Sequence, residues 1–138
     1  MDLKRINKQI LSIKKHIPLL DKKTKHICEQ YEVSYDELLL EMLKYLHLVS
    51  IAKQPLSPSH VVDLIWHEFI LFTRYYNEFC FHNYSRFIHH TPSANEDPSN
   101  FYKTLKFYIL TFNKPPEKIW GNMATAEWNS ADCGTCHN

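Results

Sequence analysis

The segment from Pro58 to His82 is apolar on almost every side of a helix, and it constrains the fold more than any other feature of the sequence. A helix without a polar face is typically buried among other helices. Ser57 followed by Pro58 is the arrangement expected of an N-cap with proline at the first helical position. The sequence therefore predicts a buried central helix over about residues 58–82.

The rest of the chain also has helical patterns. Only two of the 138 residues are glycine, far below the average of about 7%, so flexible joints are few. Further helices are predicted up to Pro18, over about 21–32, after Ser34, from Asp97-Pro98 to about Phe112, and as a short turn near Trp120. We predict an all-α fold, a small single-domain helical bundle over residues 1–120 followed by an irregular tail over 121–138.

Two polar residues interrupt the central helix. Asp63 and His67 are four residues apart, so their side chains are expected on one face and within contact distance. An aspartate bonded to one imidazole nitrogen leaves the other nitrogen free to bind a metal or move a proton. The alternative is a polar contact that only orients the helix. Burial of polar groups costs free energy, which favours a functional role.

His89 and His90 follow the central helix after a connection long enough to fold back onto it. Adjacent residues of an extended segment point to opposite faces. One of the two is therefore expected to face His67 or a metal and the other to face solvent. The alternative is a pair of ordinary surface histidines. Cys80 and Cys28 are predicted to be small core thiols.

The chain ends in Cys133-Gly134-Thr135-Cys136-His137-Asn138. Cys-x-x-Cys-His is also the short pattern of covalent haem attachment, and Cys-x-x-Cys occurs in zinc sites and redox pairs. We rank metal ligation by Cys133, Cys136 and His137 first, an incidental tail second, a redox pair third and a haem site last.

The residues from Pro58 to Pro92 include a Val-Asp dipeptide at 62–63, a Trp-His dipeptide at 66–67, Tyr76-x-x-x-Cys80 and His89-His90. This combination resembles the glycine-rich domain-containing protein-like family. Phe69 stands where many relatives have a second histidine, which removes one possible ligand. The resemblance implies a fold unit built around Asp63, Trp66 and His67, and no established reaction comes with it.

The leading functional prediction is a metal-binding helical domain. Its ligands would be His67 and one of His89 or His90, with Asp63 as ligand or orienting group, and the cysteine tail would complete that site or form another. Mixed nitrogen and sulfur ligands suit zinc best, with iron as the alternative. Whether the protein is an enzyme stays open.

Two alternatives come from other classes of protein. In the first, Asp63, Trp66 and His67 are structural parts of a non-catalytic domain that contacts a partner protein or a membrane. In the second, the protein is a metal-dependent hydrolase with Glu68 or Asp63 as the base. Glu68 points about 100° away from His67 around the helix, which makes it a poor partner for the same metal.

The basic charge is concentrated at the N-terminus, since eight of the sixteen Lys and Arg residues lie within residues 1–26. A basic N-terminal helix is able to bind nucleic acid or an anionic membrane, although most basic helix faces only contact solvent. No secretory signal is evident, and the four cysteines suit free thiols or metal ligands better than disulfides. The sequence therefore predicts a cytoplasmic protein.

Overall fold

A computed structural model describes residues 3–90 and 97–136, and side chains as far as residue 131. The described residues form helices and no strand, which confirms the predicted all-α fold. The helices are α1 (Leu3–His16), α2 (Leu19–Lys23), α3 (Lys25–Tyr31), α4 (Tyr35–Ile51), α5 (His60–Ile70), α6 (Thr73–Tyr84), α7 (Pro98–Phe112), α8 (Glu117–Trp120) and α9 (Asn122–Cys136). None of these helices combines the length and the apolar character needed to cross a membrane.

The core lies around α4 and α5. Helix α4 packs against α1, α3, α5 and α7, and α5 also packs against α2, α3, α6 and α8. The Ser34 hydroxyl begins α4 by accepting a hydrogen bond from the Glu37 amide at 3.1 Å, as an N-cap residue does. The side chains that α4 buries almost completely are Leu38, Leu39, Met42, Leu43, Tyr45, Leu46 and Leu48.

The central apolar segment is two helices rather than one. Helix α5 ends at Ile70, and Phe72, with φ −84° and ψ 64°, lies outside the helical region. The break folds α6 back onto α5, so that the rings of Phe69 and Tyr76 are 5.1 Å apart between centroids. In a continuous helix these two residues would be about 10 Å apart along the axis. A segment that is apolar on every side has no periodicity that would reveal such a break.

Helix α5 also begins two residues later than predicted. Ser59, and not Ser57, is its N-cap, and the Ser59 hydroxyl accepts a hydrogen bond from the Val62 amide at 3.1 Å. The Ser57 amide instead donates to the Thr104 hydroxyl at 2.9 Å. This bond attaches the segment before α5 to α7.

The C-terminal stretch differs from the irregular tail that the sequence predicted. Residues 122–136 form helix α9, which packs against α7 and α8 and buries Ala124. Alanine, methionine and glutamate in its first half have high helix propensity, which explains how a helix forms there without an apolar stripe. The side chains of Cys133, Cys136 and His137 lie outside the described residues.

A buried carboxylate joins α4 to α7 and α8. Glu41 is 3% exposed, and its Oε1 accepts hydrogen bonds from the Tyr108 hydroxyl at 2.5 Å and from Trp120 Nε1 at 2.8 Å. The Lys44 ammonium lies 3.3 Å from Glu41 Oε2. Burial, followed by the Glu41 charge, raises the pKa of Tyr108, so the hydroxyl keeps its proton as a donor. We name this set of four side chains the Glu41 network.

Candidate ligand-binding groove

A chain of buried hydrogen bonds holds the segment after α6 against α5. Trp66 Nε1 donates to the Tyr76 hydroxyl at 3.0 Å, and that hydroxyl donates to the Ile88 carbonyl at 2.6 Å. Ser85 makes the turn out of α6 in the left-handed conformation, with φ 60°. We call Trp66, Tyr76 and Ile88 the Trp66 network. It fixes residues 87–90 across α5 and so determines where His89 and His90 lie.

Cys80 is fully buried beside the Trp66 network. Its thiol interacts with the Ile88 backbone and with the Tyr76 hydroxyl, and burial raises its pKa. The structure therefore agrees with the prediction of a core thiol. Cys28 is only partly buried, and its pKa is also raised, first by burial and then by the Asp21 charge.

We expect iodoacetamide at pH 8 to alkylate Cys80 at least tenfold more slowly than Cys28 in the folded protein. The thiolate is the reactive form, and Cys80 combines a raised pKa with complete burial. Peptide mapping by mass spectrometry would follow each cysteine separately. Denaturation in urea should make the two rates similar. Equal rates in the folded protein would contradict the buried position of Cys80.

The carboxylate of Asp63 bonds to His90. His90 Nε2 and Asp63 Oδ1 are 2.5 Å apart, and the His90 ring packs edge-on against Trp66 with centroids 4.4 Å apart. The sequence predicted His67 as the partner of Asp63, but His67 is exposed and its ring centroid lies 6.2 Å from that of His90. The Trp66 network places His90 over α5, and this is why His90 reaches Asp63.

His89 and His90 differ in exposure. His89 is exposed and packs on Phe87 at 4.6 Å between ring centroids, whereas the His90 side chain is only 11% exposed. Asp63 and Trp66 therefore take part in holding residues 87–90. His67 takes no part in those hydrogen bonds.

The predicted metal centre is wrong for the described part of the chain. Among the described residues, no group of three or more His, Cys, Asp and Glu side chains lies close enough together to hold a metal ion. Asp63 and His90 pair with each other, while His67 and His89 are exposed. The zinc-binding function, its iron alternative and the metal-dependent hydrolase are therefore not supported. The tail residues Cys133, Cys136 and His137 lie outside the described side chains.

A large concave surface lies next to the Asp63–His90 pair. It has a volume of about 710 Å³ and is bounded by the end of α4, the connection to α5, the first turns of α5 and the segment after α6. We call it the histidine groove. Its lining residues with polar or charged side chains are Tyr45, Lys53, Gln54, Ser59, His60, Asp63, Trp66, Arg86, His89 and His90, and its apolar ones are Val49, Ala52, Leu56, Pro55 and Pro58.

The walls of the histidine groove are held by contacts between separate segments. The Tyr45 hydroxyl donates to the Leu56 carbonyl at 3.2 Å, and the Arg86 guanidinium donates to the Val49 carbonyl at 2.9 Å. These bonds join α4 to the segment before α5 and to the segment after α6. The groove is therefore part of the packed fold and not a gap between loose loops.

Sequence reasoning missed His60, Lys53 and Arg86 as members of the groove. The three residues belong to separate segments that only the packing of α4 against α5 brings together. The one available signal was the chain break at Gln54–Pro58, because a connection between two buried helices is a common place for a ligand site.

The basic residues of α1 partly serve contacts within the chain. The Arg5 guanidinium donates to the Asn83 carbonyl, and Lys14 forms an ion pair with Asp36. Binding of nucleic acid or an anionic membrane by this helix stays a prediction.

Comparison with known proteins gives a match to a protein family. A family model described as UCP032817-like matches residues 7–107, which is well over half of the chain. The resemblance to a glycine-rich domain-containing family was wrong, since the family model that matches is a different one. No curated protein and no solved structure matches.

Proposed function

The chain belongs to the UCP032817-like family, whose name states no activity, and we propose that it binds a small ligand with a multiply charged oxyanion in the histidine groove. The observation that carries this proposal is the set of Lys53, Arg86 and three histidines around one concave surface. Phosphate and carboxylate groups share the chemistry that such a surface would recognise.

The charge of the groove favours an anion. Lys53 and Arg86 contribute two positive charges, and the only carboxylate among the described lining residues is Asp63. That carboxylate bonds to His90 and is 44% exposed, so Lys53, Arg86 and Asp63 together leave an excess of one positive charge. The excess of positive groups attracts anions and raises their local concentration.

The first turn of α5 adds backbone donors to these charges. Pro58, Ser59 and His60 line the groove where this eleven-residue helix begins. The N-terminus of a helix carries a partial positive charge and unpaired N–H groups. Such a helix end reinforces the lysine and arginine and does not by itself define the site.

The size of the groove and its apolar wall suit a small organic ligand. Its volume of about 710 Å³ lies within the range of roughly 300–1,000 Å³ usual for small-molecule sites. Val49, Leu56 and Pro58 offer apolar contacts within the same groove. A ligand with an oxyanion at one end and a carbon body at the other fits this distribution.

The test titrates pyrophosphate and citrate into the ¹⁵N-labelled protein and follows backbone amide shifts. We expect saturable shifts at Lys53, His60 and Arg86 with at least one of the two anions, with a Kd of about 1 mM or tighter. Binding of pyrophosphate alone assigns the site to phosphates, and binding of citrate alone assigns it to carboxylates.

Lys53→Ala is expected to weaken this binding about five- to tenfold, which corresponds to a loss of roughly 1–1.4 kcal/mol in binding free energy. Lys15→Ala removes another exposed lysine, on α1, and should leave the affinity unchanged. Absence of saturable shifts with both anions, or equal effects of the two substitutions, would overturn the proposal.

A cytoplasmic location is part of the same proposal. Cys28 and Cys80 are free thiols, and proteins of reducing compartments usually keep their cysteines in this form.

A further inference from the structure

A second groove runs between α7 and the end of α4. The stripe Lys103, Lys106, Phe107 and Leu110 has the spacing i, i+3, i+4 and i+7, so it forms one face of α7. Across from it lies the segment from Ile51 to Leu56. The groove between them has a volume of about 430 Å³, and we call it the α7 groove.

The α7 groove exposes more apolar surface than a solvated helix face usually does. Leu110 is 85% exposed and Ile51 is 51% exposed, while Phe107 is partly buried between them. Single exposed leucines are common on protein surfaces. Here, however, the exposed side chains line one concave surface, which is typical of an interaction site.

The charges around this surface all have one sign. Lys53, Lys103 and Lys106 line the α7 groove, and no carboxylate is among its described lining residues. An acidic partner would therefore gain charge complementarity with these three lysines. A basic or neutral partner would gain nothing from the three lysines.

We propose that the α7 groove docks an acidic amphipathic helix of a partner protein. Helix-in-groove recognition places the apolar anchors of the docking helix, at i, i+3, i+4 and i+7, against an apolar strip. Ile51, Phe107 and Leu110 supply such a strip in the α7 groove. Ridges on one helix fit between the side chains of another at this spacing. A concave surface favours a helix over a flat lipid headgroup layer, and this inference does not depend on ligand binding in the histidine groove.

The experiment selects from a displayed library of random 16-residue peptides, using the full chain as bait and the Leu110→Asp variant as counter-bait. Leu110 is almost fully exposed, so this substitution leaves the core intact. We expect the enriched peptides to carry apolar residues at i, i+3, i+4 and i+7 with Asp or Glu between them. The proposal would be overturned if the enriched peptides were basic, if they lacked this spacing, or if none bound the unmodified chain in preference to the Leu110→Asp variant.

One enriched peptide, synthesised with a fluorescent label, then gives affinities by polarisation. Leu110→Ser and the pair Lys103→Glu with Lys106→Glu should each weaken binding at least tenfold. Leu71→Ser is the matched control, because Leu71 is a 61% exposed leucine outside this groove, and it should leave the affinity unchanged. Equal losses in the Leu110 and Leu71 variants would refute the assignment.

Vesicles of phosphatidylcholine with one third phosphatidylserine test the competing occupant. The proposal expects no vesicle binding that depends on Leu110, Lys103 and Lys106. Vesicle binding that these substitutions abolish, at an affinity above that of the peptide, would assign the α7 groove to a membrane and overturn the proposal.

Discussion

Replacing Glu41 with alanine is expected to lower the free energy of unfolding by about 3–5 kcal/mol. The substitution leaves the Tyr108 hydroxyl, the Trp120 indole N–H and the Lys44 ammonium without their common acceptor inside the protein. Domains of this kind have a total stability of roughly 5–15 kcal/mol, so the loss is a large fraction of it. Urea unfolding followed by tryptophan fluorescence would measure the change.

Glu78→Ala is the control for the Glu41 substitution. Glu78 is an exposed glutamate of α6, and its removal should change the stability by no more than about 0.5 kcal/mol. Glu41→Gln keeps an acceptor oxygen and should cost less than Glu41→Ala. A Glu41→Ala protein as stable as the Glu78→Ala protein would show that the buried carboxylate contributes nothing to the packing of α8.

Replacing Tyr76 with phenylalanine is expected to lower the free energy of unfolding by about 2–4 kcal/mol. The change keeps the ring and removes one oxygen, which leaves the Trp66 N–H and the Ile88 carbonyl unpaired in the core. Each buried group left without a partner costs roughly 1–3 kcal/mol. Chemical denaturation at constant pH would give the value.

The matched control for Tyr76→Phe is Tyr84→Phe, on the same helix. The Tyr84 hydroxyl is also buried but has no hydrogen-bond partner among the described residues. Its removal should therefore be neutral or slightly stabilising, because the folded protein loses a polar group that it cannot satisfy. Destabilisation of the same size in both variants would mean that the ring environment, and not the Trp66 network, determines the effect.

The sequence was sufficient for the helical fold and for many of the helix starts. Helices α4 and α7 begin where they were predicted, with Ser34 and Asp97 as their N-caps, because capping is a local interaction between a side chain and the next turn. The break after Ile70 was not predictable in the same way. It depends on Tyr76 and Phe69 packing face to edge, a contact that forms only after α6 has folded back.

The candidate sites were predicted less well than the fold. Asp63 had two chemically equivalent partners in the sequence, and only the position of Ile88 decides that His90 is the one in contact. Glu41 did carry a signal that was overlooked. It lies three residues after Leu38 and four before Tyr45, so it is on the face of α4 that packs in the core. A carboxylate on that face needs buried hydrogen-bond donors.

The two buried networks also differ in the order in which the chain is able to close them. The bonds of Tyr76 join residues only 10 and 12 positions apart, whereas those of Glu41 join residues 67 and 79 positions apart. Closing the longest of these loops costs roughly 2 kcal/mol more entropy than closing the shortest, since the cost grows with the logarithm of loop length. The α5–α6 hairpin is thus a unit of low contact order that is able to form from local encounters. The attachment of α8 to Glu41 then depends on a chain that is already compact.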